Sequence, residues 1–369
     1  MNSKIQFGET NKLILIPIIG GIIKIIYRFL IIQTGPSFGN HPFVFSSYSS
    51  LGMCLAFIRY IKEPDLDELM PENDEAKKKI KKGKIIFICI AILLDFMQTV
   101  IATFFYVKTK LNLWNFDIII LGIFSRIILK ISLNRHQFVS IVSIFILSLI
   151  MNLVIVEGET DSYFNILSFV CQIILDLQVV IHKLIIENYA STPSEICFCE
   201  GVVNLFLYIL FLSIFSNIKI PEEYNYIFNN NLLNCTGTFY LDNFPEYVNK
   251  INIKEIFVAL GFLILNGILN LIILTTIKLF TPFHFIIVLV IGEFEKILYE
   301  YDKWKTYIEL FIVCIIFFMI LIFNEIIELH FFDLSQDIKR YGINRANDEL
   351  TESIASDDED EDIDLEGIN

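Results

Sequence analysis

The sequence predicts an all-α, polytopic membrane protein with ten transmembrane helices arranged as two inverted five-helix repeats. Three observations predict it. Of the 369 residues 55% are hydrophobic and only 19% charged, whereas a water-soluble domain carries roughly a quarter of its residues charged. Ten stretches of mostly apolar residues follow one another along the chain, each near the roughly 20 residues that cross a bilayer. They divide five and five across the short acidic connection 157–161, and because five is odd the second half enters the membrane from the opposite side.

The stretches lie at about 12–32, 43–62, 84–107, 113–132, 137–156, 163–187, 196–218, 254–276, 280–300 and 307–328. The first reads as a retained span, not a signal peptide, because its apolar run continues to Ile32 with no small-residue cleavage site after it. The chain thus divides into a cytosolic N-terminus (1–11), a first five-helix repeat (12–156), a second (163–328) and an acidic tail (329–369). Orientation follows from Lys and Arg, since basic loops resist translocation. With the N-terminus inside, 17 basic residues, including the cluster Lys77, Lys78, Lys79, Lys81, Lys82 and Lys84, fall on the cytosolic side and 8 on the other. Both termini are expected in the cytosol. The Asn-x-Ser/Thr sequon at Asn234 lies in the polar loop 219–253 on the opposite, lumenal side, where glycosylation takes place.

The net charge of −14 belongs to the tail. Residues 348–366 alone hold 11 carboxylates, which leaves the rest of the chain near −3. A segment so polar and so charged is expected to be disordered, and Ser356, followed by Asp357, Asp358 and Glu359, has the form of an acid-directed phosphorylation site. Six of the seven cysteines (Cys54, Cys89, Cys171, Cys197, Cys199 and Cys314) sit in apolar runs, so no disulfide framework is expected.

An ionisable side chain inside a span costs about 2.5–3.5 kcal/mol or more on insertion scales, so it needs a partner, water or a route to the surface. Lys24 stands near the centre of the first span, with Arg28 one turn on and on the same face. Lys24 reads as a cavity-facing residue or one half of a structural ion pair; Arg28 can snorkel. Asp95, with Gln98 on its own face of the third span, reads first as a structural partner of Lys24 or Arg126, and second as a protonatable coupling carboxylate. Arg126, in the fourth span, lies near enough to its end to snorkel. The second half answers with acids: Asp176, with Gln172, in the sixth span, and Glu293, with Glu295, in the ninth. Repeat symmetry then sets basic spans 1 and 4 against acidic spans 6 and 9, an arrangement suited to a gate closed by ion pairs. Asn266 and Asn270, four residues apart in the eighth span, suit substrate hydrogen bonds or the joining of helices equally. His284 and His136 read as packed or turn residues. No phosphate-binding loop, nucleophile elbow or zinc-protease motif occurs, so no catalytic residues, metal or cofactor are expected and the chain does not read as an enzyme.

Several strings resemble the drug/metabolite transporter superfamily (EamA-like), and within it solute carrier family 35, subfamily F. His41-Pro42-Phe43 is similar to the His-Pro-Phe of that subfamily. Asp95 in LLDFMQTVIATFFYV, with Thr103, Tyr106 and Val107 after it, resembles its third-span aspartate motif, and LNRHQ at 133–137 its charged turn. Gln172, Gln178, Lys183 and Glu200-Gly201 also fall where similar residues occur. The resemblance covers about 12–328 and implies a ten-helix transporter with cytosolic termini. A Gln-Met-Leu-Arg-Gly motif of the fourth span is absent around 114–122, and Glu293 and Glu295 stand near the place of a ninth-span Arg-Thr pair, so the resemblance carries the transporter class and not the substrate.

The expected function is transport of a small polar organic solute, nucleotide-sugar-like or another metabolite, by alternating access. Lys24, Asp95, Gln98, Arg126, Asp176, Asn266, Asn270 and Glu293 are the expected cavity residues. The alternative is a receptor or trafficking adaptor that does not transport and acts through the acidic tail. The expected partners are the solute and the lipid bilayer, with a homodimer allowed and nucleic acid not expected, in an endomembrane (Golgi or endolysosomal) rather than the plasma membrane.

Overall fold

A computed structural model describes residues 13–33, 42–63, 73–105, 116–131, 133–155, 162–215, 219–220, 239–240, 253–295 and 304–324. The described helices are α1 (Leu15–Gln33), α2 (Pro42–Cys54), α3 (Phe57–Tyr60), α4 (Asp74–Phe105), α5 (Asp117–Ile128), α6 (Arg135–Ile155), α7 (Ser162–Asn188), α8 (Pro193–Phe215), α9 (Ile253–Leu279), α10 (Phe285–Glu293, entered through a 3₁₀ turn at Pro282–His284) and α11 (Trp304–Phe323). Two short strands, β1 (Lys219–Ile220) and β2 (Phe239–Tyr240), pair antiparallel with Lys219 opposite Tyr240.

Helix boundaries follow local chemistry. Thr192 caps α8 by accepting a hydrogen bond from the Glu195 amide at 3.1 Å, in the spacing of a capping box with Pro193 at the first helical position. Asn73 caps α4 through the Glu75 amide at 2.9 Å, so α4 starts about ten residues before the expected span and carries the Lys77–Lys84 run on the helix itself. The chain leaves α7 through Ala190 and passes Lys130 after α5, both with positive φ (46° and 57°), which turns it sharply into the next helix.

Among the described residues six helices are long and apolar enough to cross a membrane: Asp74–Ile101, Arg135–Leu153, Asn165–Asn188, Pro193–Ile214, Glu255–Leu279 and Thr306–Phe323. Their outward faces are apolar, with Phe206, Phe257, Phe311 and Ile85 each more than 60% exposed, while Asp117, Asp176, Glu200, Asn204 and Ser148 are buried. Polar inside and apolar outside is the pattern of a chain solvated by lipid, and the protein is an integral membrane protein on that ground. Among the described residues, two of the expected spans hold helices shorter than the roughly 20 residues of a crossing. α5 has 12 residues and α10 has 9, and the expected second span is broken into α2 and α3 at Leu55–Ala56.

Packing runs mostly between the two halves of the chain: α2 lies against α8 and α9, α4 against α7 and α8, α1 against α9 and α10, α5 against α7, and α6 against α11. The largest apolar core joins α5, α6, α7, α10 and α11 around Leu121, Ile144, Met151, Val180, Ile287 and Ile316. A second lies between α2, α4, α7 and α8, around Met53, Ala91, Ile185 and Cys197. Where α2 crosses α9 the backbones nearly touch: a Cβ on Gly267 would strike the Gly52 carbonyl, and one on Gly52 the Leu263 carbonyl. Small residues at such a crossing are what membrane helices use in place of a hydrophobic drive.

Candidate functional site

The interior polar groups form two clusters. In the first, α1 presents Lys24 and Arg28 one turn apart to α10. Gly20 and Gly21 bring α1 close, with side-chain room taken up by Val288 and Ile291, and Gly292 leaves space for the Lys24 stem, whose Cδ a Cβ there would meet at 2.5 Å. Lys24 donates to the Leu289 carbonyl at 3.4 Å. Arg28 pairs with Glu295 at 2.6 Å and reaches Glu293 at 3.5 Å. Asp117, the first residue of α5, lies within charge range of Lys24 and Glu293, and Asp176, midway along α7, lies within charge range of Asp117. Both aspartates are 0% exposed, and none of their four carboxylate oxygens has a hydrogen-bond partner among the described residues. Gln172, one turn before Asp176, turns its amide toward Asp117 without reaching hydrogen-bond geometry.

The second cluster joins α4, α7 and α8. Gln178 and His182 stand four residues apart on α7; Glu200 and Asn204 do the same on α8. His182 Nε2 meets Glu200 at 2.6 Å, Gln178 donates to Glu200 at 3.4 Å, and Asn204 Nδ2 donates to Asp95 at 2.5 Å. Asp95 also lies within charge range of Glu200 and His182, and the Tyr208 ring closes this end one turn beyond Asn204. Here most groups have found partners, so the cluster ties three helices together.

The expected site residues are divided between these places. Lys24, Asp176 and Glu293 come together in the first cluster. Asp95 lies in the second and pairs with Asn204, not with Lys24 or Arg126. Gln98 is half-buried on α4, its carbonyl accepting from the Cys171 thiol at 3.3 Å. Arg126 is exposed on α5. Asn266 donates to the Ser49 hydroxyl at 2.6 Å and to its carbonyl at 3.0 Å, joining α9 to α2, whereas Asn270 donates to the Asn266 carbonyl within α9. Asn234 and Ser356 lie outside the described residues. Lys183 caps α9, donating to the Phe280 carbonyl at 2.7 Å and the Lys278 carbonyl at 3.3 Å. Asp117, His182 and Asn204 were not among the expected site residues. The spacings of four at 178/182 and 200/204 signalled two polar helix faces; Asp117 heads an apolar run and gave no such signal. Among the described residues no group of three or more His, Cys, Asp or Glu is arranged to hold a metal ion. No protein-family model matches the chain, and no curated protein matches it.

Proposed function

We propose that the protein is a transmembrane transporter of a small polar organic solute, working by alternating access, with ten crossings in two oppositely inserted five-helix halves and both termini cytosolic. The observation that carries the reading is the first cluster: buried ionic groups drawn from α1, α5, α7 and α10, the expected spans 1, 4, 6 and 9, meeting where the halves of the chain face each other. Lipid-solvated proteins keep such groups inside only where they serve a pathway or a pair.

The packing pattern supports the repeat. With α2 and α3 counted together as span 2, adding five to each span number, modulo ten, exchanges the contact 3–6 with 8–1, 1–9 with 6–4, and 2–8 with 7–3, while 2–7 and 5–10 map onto themselves. Two halves of one fold related by a pseudo-twofold axis produce such a pattern. The similarity to the drug/metabolite transporter superfamily, and to solute carrier family 35 subfamily F within it, agrees with this architecture, and an endomembrane location belongs to the same proposal.

The test is solute counterflow in proteoliposomes loaded in turn with nucleotide sugars, amino acids, organic cations and vitamins. One class should exchange, replacement of Asp117 and Asp176 by Asn should stop the exchange, and removal of residues 329–369 should leave it intact. Exchange of no class, with a phenotype that follows the tail alone, would favour a non-transporting adaptor.

A further inference from the structure

The two symmetry-related contacts of the first cluster differ in charge. Between α1 and α10 two cations meet two carboxylates, and each cation is engaged: Lys24 by the Leu289 carbonyl, Arg28 by Glu295 and Glu293. Between α5 and α7 acid faces acid. Asp117 and Asp176 lie within charge range of each other, both wholly buried, and among the described residues none of their four acceptor oxygens has a hydrogen-bond partner, Gln172 being the one amide that approaches Asp117. The groups that face the pair are Lys24 from α1, Glu293 from α10 and Gln172 from α7. Among the described residues, four carboxyl groups thus stand against two cations.

Resting on the transporter reading above, we propose that the Asp117–Asp176 pair is the binding position for the cargo and that the cargo is an organic cation bearing N–H donors, of the amine or diamine class. Two buried carboxyls that face each other do not both ionise without a counter-charge; a donor carrying positive charge lets them do so, and charge-assisted hydrogen bonds from an ammonium supply charge and donors together. An anionic solute meets two carboxyl groups at this position. A neutral polyol supplies donors and leaves the charge unbalanced. Lys24, within charge range of Asp117, is the internal competitor: when the site is empty its ammonium acts on Asp117, and the arriving solute displaces its influence. The α1–α10 contact is then a strut whose Lys24 reports the occupancy of the α5–α7 pair.

The experiment uses the purified full-length protein and putrescine as the probe, with choline, which has no N–H, and uridine monophosphate as controls, read by thermal stability at neutral pH. Putrescine should raise the unfolding midpoint saturably, choline should act more weakly, and uridine monophosphate should do nothing. Asp117→Asn and Asp176→Asn should each weaken the apparent affinity by roughly tenfold or more, Asp176→Glu should retain most of it, and Lys24→Gln should strengthen it. Opposite shifts in variants of one cluster separate binding from a general loss of folding. No shift with putrescine, an equal shift in the wild type and the Asp117→Asn/Asp176→Asn protein, or a shift with uridine monophosphate alone would overturn the proposal. Counterflow separates the two readings. Asp-dependent putrescine binding without passage across the vesicle leaves the site and removes the transporter, whereas exchange of uridine monophosphate leaves the transporter and removes the cationic cargo.

Discussion

Asn204 holds the second cluster together at the level of a single hydrogen bond. Its amide donates to the Asp95 carboxylate at 2.5 Å, and Asn204 itself is 0% exposed. Replacing Asn204 with Leu leaves the Asp95 carboxylate in the membrane interior without that donor, which costs about 1–3 kcal/mol. A denaturant titration of the reconstituted protein should register the loss, and Asp95→Asn in the same chain should recover part of it by removing the charge; a double variant no better than the single one contradicts the assignment. Asn266 offers a milder case. It reaches Ser49 on α2 from α9, and interhelical bonds of this kind measure about 0.6 kcal/mol on average in a membrane protein, so Ser49→Ala should lower stability by about that amount and leave solute exchange unchanged.

Among the helices, the crossing of α2 with α9 tolerates no side chain. Gly267→Ala puts a Cβ against the Gly52 carbonyl, and overpacking of this kind costs about 1–3 kcal/mol. The unfolding midpoint should fall, and the same change at Gly122, where a Cβ meets nothing nearer than 3.7 Å, should be tolerated. The α7–α9 junction depends on Lys183, buried with its ammonium on the last carbonyls of α9, a cation at a helix C-terminus. Hydropathy made the six long apolar helices legible because lipid demands length and apolarity from every crossing. It did not show the break at Leu55–Ala56, because a window of about 20 residues averages over a kink. The pairing of Asp95 was hidden for another reason: its partner lies 109 residues away, and no local periodicity reaches so far. Arg126 was read as interior from its position along the chain, yet the face of α5 on which it sits points outward. Lys24, Asp176 and Glu293 were legible because a charge in an apolar run stands out. Asp117 heads its helix, where an acid is ordinary.

For the molecule as a whole, the pattern of helix contacts and the distribution of charge describe two halves that meet along ionic groups. If the halves move as units, the strut between α1 and α10 must part when the opposite side closes, so Arg28→Ala, which removes the pair with Glu295 and Glu293, should shift the conformational balance more than it lowers stability. Limited proteolysis or hydrogen exchange of the reconstituted protein should show altered protection at α1 and α10 with the rest unchanged. The central claim, that these ionic groups line a path opened in turn to each side, is met most directly by labelling a single cysteine at Gln172→Cys, in a chain whose own seven cysteines have been replaced, with a membrane-impermeant thiol reagent applied to either face of sealed, oriented vesicles. The account predicts modification from both faces, slowed by bound solute. Modification from neither face, or only by a reagent that dissolves in lipid, would contradict it.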